Sequence, residues 1–156
     1  GNFFAAELDW ASGWRVHQGR RLYWPRQTAS PGIDTVLPNM QTDIILENLS
    51  AGRRMVIDTK FTSIFTSTPY REAVLKSGYL YQMYAYLRSQ EGNGNPLTET
   101  SEGILLHPTI DTDVDEFITI QGHQIRFVTV NLAACNSAEI FARLRSLPEI
   151  MPLQQR

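Results

Sequence analysis

Two strand-like apolar runs joined by a short glycine-bearing link constrain this chain more than anything else in it. They are DIILEN (43–48) and RRMVIDTKF (53–61), with LSAG between them. A link that short between two such runs is most economically an antiparallel hairpin. Period-two alternation then sorts the second run into faces. Met55, Ile57 and Phe61, with Thr59 among them, form one face and are expected to anchor it in the core. Val56, Asp58 and Lys60 form the other. Aspartate and lysine are depleted in strands, so charges there need either solvent or a task.

The segments around this hairpin complete a mixed pattern. NFFAAELDWASGW reads as the last turns of an amphipathic helix without a clear N-cap, as in the C-terminal part of a longer protein. WRVHQGRRLYW alternates like a second hairpin turning near Gln18-Gly19, and TVLPNMQTDIILEN reads as a strand entered through Pro38. PYREAVLKSGYLYQMYAYLRSQ (69–90) has helical spacing, with Gly78 as an interior flaw. Next come a polar loop (91–102), the strand GILLHP, an acidic stretch DTDVDE, and the strands EFITI and QIRFVTVNL joined through 121–123. A last helix spans roughly 137–147. The order predicts an α/β fold, a mixed sheet flanked by helices, as one domain over 1–156 with an added N-terminal hairpin.

Composition narrows the class. A chain of 156 residues with 42% hydrophobic and 19% charged residues can bury one core and is not expected to be disordered. No apolar run reaches bilayer-spanning length and no signal-peptide pattern opens the chain. The single cysteine, Cys135, excludes an internal disulfide and fits a small core residue in a reducing cytoplasm. The formal charge of −2 averages unlike parts. Residues 1–90 carry ten Lys/Arg against seven Asp/Glu, and residues 91–156 carry four against nine. Such asymmetry is compatible with a polyanion against one face.

If the hairpin pairs as expected, Asp43 and Asp58 converge from neighbouring strands with Lys60 beside them. Two carboxylates, the Thr59 main-chain carbonyl and water make a hard-oxygen site suited to Mg²⁺, with Mn²⁺ an alternative. A metal there could polarise a phosphodiester and activate water, while Lys60 orients that water or neutralises transition-state charge. An isolated Asp-x-Lys is more often an exposed ion pair of under about 1 kcal/mol. Three features favour the site: Asp58 follows Met-Val-Ile, Asp43 precedes Ile-Ile-Leu, and Gln82 and Tyr86 stand one turn apart on the following helix.

Taken in order, LPNMQTDIILEN, VIDTKF, YQMYAYL and GILLHP resemble the C-terminal nuclease domain of McrC, the cleavage subunit of 5-methylcytosine-dependent McrBC restriction systems. The likeness covers nearly the whole chain and implies a restriction-endonuclease-like PD-(D/E)xK core acting on double-stranded DNA. It implies that Asp43 and Asp58 bind Mg²⁺, that Lys60 is the catalytic lysine, and that Gln82 and Tyr86 form a QxxxY element. In that element the glutamine lies near the site and the tyrosine supports DNA or helix packing. It also implies a McrB-like GTPase motor as partner, engaged by a region this chain lacks. Cleaving both strands would need two sites, hence a possible dimer. Related nucleases often add a glutamate from the first helix; Glu7 is the nearest candidate and reads as a surface residue. A RecB-like exonuclease or junction resolvase, and a regulatory subunit with a vestigial site, remain as alternatives.

Arg53, Arg54, Arg71 and Lys76 are candidate phosphate contacts. Glu47 shares the strand face of Asp43 but lies roughly 13 Å along it, too far for the same ion. His107 reads as a hydrogen-bonded core residue, and His17 and His123 as solvated. The acidic DTDVDE lacks the glycine and distal glutamate of an EF-hand and reads as a solvated loop. Trp10, Trp14, Tyr23 and Trp24 are expected mainly in the core.

Overall fold

The computed structural model describes residues 2–8, 13–62, 65–68, 71–109, 113–133 and 136–149, without the side chains of 65–68 and 71–73. Trp10 and Cys135 fall outside the described residues. The centre is a six-stranded mixed sheet in the order β1 (Trp14–Gln18), β4 (Ile44–Asn48), β5 (Arg53–Thr59), β8 (Glu102–Pro108), β10 (His123–Val130), β9 (Asp115–Ile120). β4 and β5 form the expected antiparallel hairpin, with Ile44 opposite Ile57 and Asn48 opposite Arg53. β5 and β8 run parallel, as do β8 and β10, while β9 returns antiparallel along one edge. The connection from β5 to β8 carries α2 (Ser77–Arg88), the crossover that parallel neighbours require.

Both faces of the sheet are covered, which is why β5 is buried from Arg54 to Asp58. On one face Ile45, Val56, Leu105 and Phe127 pack with Met83, Tyr86 and Leu87 of α2. On the other, Ile44, Met55, Ile57 and Val128 pack with Phe4 of α1 (Asn2–Glu7) and with Leu144 and Leu147 in and just after α4 (Ser137–Ser146). The helix α2 lies close because β8 offers Gly103 beneath it. A Cβ there would stand 2.7 Å from both Cγ and Sδ of the fully buried Met83.

Two sequence expectations change. WRVHQGRRLYW is not a hairpin: β1 pairs antiparallel with β4, and β2 (Arg21–Leu22) pairs with β3 (Met40–Gln41) as a separate two-stranded ladder. Gly19, at φ +59°, turns the chain out of β1, and its N–H donates to the Asp43 carbonyl at 3.0 Å. The strand expected through 35–48 is accordingly interrupted before Ile44, after a single 3-10 turn at Ile33–Thr35. Second, the helix expected from 69 begins only at Ser77. Arg71–Leu75 (β7) pairs with Phe65–Thr68 (β6) instead. Helix propensity is a weak prior, and REAVL yields to a β-prone FTST partner. Gly78 is thus in the first turn of α2, and the polar loop contains the short α3 (Pro96–Glu99), capped by Asn95.

The acidic stretch after β8 is only partly a solvated loop. Asp115 opens β9, where Arg126 bonds it through Nε and Nη2 at 2.6 Å each and Arg143 of α4 approaches to 2.9 Å. Burial raises the Asp115 pKa, but the two guanidiniums outweigh it and the net shift is downward. A lowered folded-state pKa contributes stability above the ordinary carboxylate value, and that contribution disappears as pH falls through the folded value. Asp115→Asn should therefore cost about 2 kcal/mol near neutrality, chiefly by stranding buried Arg126. Denaturant titrations from pH 7 down to pH 3 should show the gap to wild type closing in acid.

Candidate active site

Asp58, Val56 and Arg54 alternate onto the face of β5 that α2 covers, and Asp43 shares that side with Ile45. Asp58 is only 3% exposed at the C-terminal end of a central strand. Lys60 Nζ donates to its Oδ1 at 3.2 Å and stands 3.0 Å from Oδ2. Oδ2 is buried and receives no hydrogen bond of proper geometry. Burial pushes the Asp58 pKa up, Lys60 pulls against it, and the nearby Asp43 charge adds to the rise. The two carboxylates thus feel one another, as a shared site requires.

Asp43 precedes β4 and is exposed. Its Oδ2 accepts from Thr59 N–H and from Thr59 Oγ1, both at 2.7 Å, leaving Oδ1 open. In an antiparallel ladder a residue's N–H and C=O face the same neighbour. The Thr59 N–H thus turns toward Asp43, while the next amide, Lys60 N–H, turns the other way to Leu106 O at 3.0 Å. An open groove beside this edge is lined by Gln18, Gly19, Gln41, Thr42, Asp43 and Thr59. A buried Asp58 oxygen that receives no hydrogen bond and has only the Lys60 ammonium close by, and a second carboxylate on Asp43, are donors of the hard-oxygen type that suits a divalent cation such as Mg²⁺. Among the described residues no group of three or more His, Cys, Asp or Glu gathers as a metal cluster.

Gln82 and Tyr86 come together as expected on α2. Gln82 Nε2 donates to the Tyr86 hydroxyl at 2.9 Å, and that hydroxyl donates to the Gln41 carbonyl at 3.0 Å. Tyr86 is 5% exposed, so it braces α2 against β3 and offers no ring to DNA. Burial, then the Asp58 charge, raise its pKa, which places the hydroxyl in the electrostatic reach of the site.

Other expected residues stand elsewhere. Arg53 and Arg54 begin β5, four or more residues from Asp58, roughly 13 Å or more by strand rise. Arg53 is spent on a two-pronged pair with Glu102, 2.8 Å each, and on the Pro148 carbonyl at 2.7 Å. Arg54, 3% exposed, bonds Glu47 and Ser101, each at 3.2 Å. Strand alternation turns Arg54 into the interior and Glu102 pairs with Arg53, so both guanidiniums are engaged within the protein. Arg71 lies on β7 and its side chain is outside the described residues. Lys76 caps α2 with its ammonium 5.7 Å from the Tyr79 ring and no carboxylate partner among the described residues. Phe61 is 88% exposed, since β5 ends at Thr59 and the alternation does not continue to it. Glu47 holds His17 at 3.1 Å as well as Arg54, and Glu7 pairs with Arg145 of α4. His123 is fully buried between Ser101 O and Glu91, not solvated, whereas His107 is the core residue expected. Trp14 and Trp24 pack on the two cores, while Tyr23 is exposed.

Sequence reading missed Arg20 and Arg21. Arg20, on the β1–β2 connection, and Arg21, in β2, are both exposed; Thr42 N–H donates to Arg20 O at 3.0 Å, Arg20 Nη1 lies 3.9 Å from Glu47, and Arg21 pairs with Gln41. The pairing that sets their backbone beside Gln41 and Thr42 is long-range, and only the basic Gly-Arg-Arg could have flagged it.

No family model matches the chain. Over 111 residues, 71% of its length, it is 31% identical to a curated relative and spans 30% of that relative. The relative is the Type IV methyl-directed restriction enzyme EcoKMcrBC of Escherichia coli strain K12.

Because Arg54 is buried against Glu47, Arg54→Ala should cost about 3 kcal/mol in denaturant unfolding. DNA affinity measured well below the shifted midpoint should be unchanged; a weakened affinity at full folding would restore Arg54 as a phosphate contact.

Proposed function

We propose that this chain is the nuclease module of an McrC-type cleavage subunit, a metal-dependent DNA endonuclease with a PD-(D/E)xK core. The observation that carries the reading is the buried Asp58 carboxylate, with one oxygen unbonded, set between Lys60 and the Asp43–Thr59 pair. The likeness to EcoKMcrBC supports the same reading. Asp43, Asp58 and the Thr59 carbonyl would hold Mg²⁺, or Mn²⁺ in its place. When bound, such an ion polarises the phosphodiester and lowers the pKa of water.

The chain's own groups do the remaining work. Lys60, tethered by Asp58, presents an ammonium to the phosphate oxygens as negative charge accumulates on them. Water adds to phosphorus while the bond to one sugar oxygen breaks, and that oxygen takes up a proton on leaving. Gln82 sits at the edge of the site, its amide oriented by the Tyr86 hydroxyl. Arg21 and Lys76 take the phosphate-contact role, since Arg20, like Arg54, stands beside Glu47. Double-stranded DNA is the substrate, cut in the cytoplasm with a McrB-like GTPase motor as partner. Paired modules would supply the second cut.

Plasmid cleavage in Mg²⁺ by the whole natural protein with its GTPase partner tests the reading. Asp58→Ala and Lys60→Ala should each lower the rate by at least about a hundredfold, and undiminished cutting by both would sink the mechanism. Arg21→Ala and Lys76→Ala should each weaken DNA binding and flatten its salt dependence by about one unit of log–log slope.

A further inference from the structure

Lys60 sits where the sheet releases the chain. Its N–H makes the last ladder-like bond, to Leu106 O at 3.0 Å, and Phe61 beyond it is fully in solvent. A lysine at a free strand end would sample many positions, and long flexible side chains lose entropy when fixed. Two residues later the chain is seized again. His107 Nδ1 lies 2.8 Å from the Thr62 carbonyl, and the Tyr79 hydroxyl lies 2.8 Å from Thr62 Oγ1. One grip comes from β8 and the other from the first turn of α2.

One of these two rings, Tyr79, also borders the ammonium. Lys60 Nζ stands 5.4 Å from the Tyr79 ring centroid, inside cation–π range, with Asp58 holding it at 3.0 Å. The Tyr79 and His107 rings are 5.6 Å apart and tilted by 41°. A carbonyl can only accept, so His107 carries its proton on Nδ1 and the lone pair lies on Nε2. That Nε2 is buried without a partner in a side chain 2% exposed. An unmet buried acceptor costs stability that an apolar residue would avoid, so packing alone does not explain the imidazole. Burial keeps the ring neutral against the weaker upward pull of Thr62, and Lys60 and Lys76 push the same way as burial.

We propose that His107 and Tyr79 are positioning residues for the reaction, clamping the 60–62 segment so that the Lys60 ammonium is held at the reacting phosphate. This role rests on the nuclease reading above. Its energetic logic is that catalysis by a positioned charge is lost steeply when the group shifts by about 1 Å.

Cleavage kinetics of the whole natural protein with its GTPase partner, with DNA affinity and thermal unfolding measured alongside, provide the test. His107→Ala should lower kcat about 10- to 100-fold with DNA Kd unchanged. His107→Asn, whose side-chain N–H falls near the Nδ1 position, should recover to within about threefold of wild type. Tyr79→Phe keeps the ring and loses the hydroxyl, and should fall between wild type and Tyr79→Leu. Wild-type turnover by His107→Ala and Tyr79→Leu, with Asp58→Ala dead, would overturn the clamp and leave the nuclease reading standing. So would equal impairment of His107→Asn and His107→Ala tracking their loss of thermal stability. Cutting by Asp58→Ala would remove the nuclease reading and the clamp together.

Discussion

The desolvated carboxylate of Asp58 governs the half of the molecule that faces α2. A charge at the end of a central strand is costly unless it is paired and bonded. Lys60 answers only part of that demand, since one oxygen of Asp58 keeps no hydrogen bond. The surroundings follow from this debt of polar contacts. Tyr86 feels the same charge, and Asp43 leans on Thr59 rather than entering the interior. An apolar residue at 58 would pack β5 better, so packing alone does not account for the carboxylate.

The strand β5 divides into two unlike ends. At its start the arginines are structural: Arg54 with Glu47 ties β5 to β4, and Arg53 with Glu102 ties it to β8. At its finish the charges are left partly unanswered around Asp58. Both ends read alike in sequence, as charges flanking Met-Val-Ile, yet one set ties neighbouring strands together and the other pairs within its own strand end.

Much of this architecture was legible from residues alone because it is local. The β4–β5 hairpin followed from a short link, the faces of β5 from alternation through Asp58, and α4 from its 3.6-residue pattern. The parts that were not legible depend on partners distant in sequence. WRVHQ alternates whether it pairs with its neighbour or with β4 thirty residues on, and nothing within it decides. REAVL carries helix formers, but the β-prone FTST beside it captures them. Phe61 continued the alternation on paper only, because the strand stops at Thr59. His123 looked like a turn residue, although the hairpin buries it against Ser101 and Glu91. The candidate site was readable as residue types in order; which arginines serve it was not.

Gly103 carries no functional group, yet it sets a dimension of the site. With no β-carbon on β8 at that point, Met83 rests directly on the backbone, and α2 settles to its present depth. Tyr79 and Gln82 hang from the same rigid rod, one turn and one residue toward its N-terminus. A methyl group at 103 would act as a shim under the middle of the rod, raising both side chains away from the strand ends they reach. The smallest side chain in the sheet is in this sense the molecule's calibration mark.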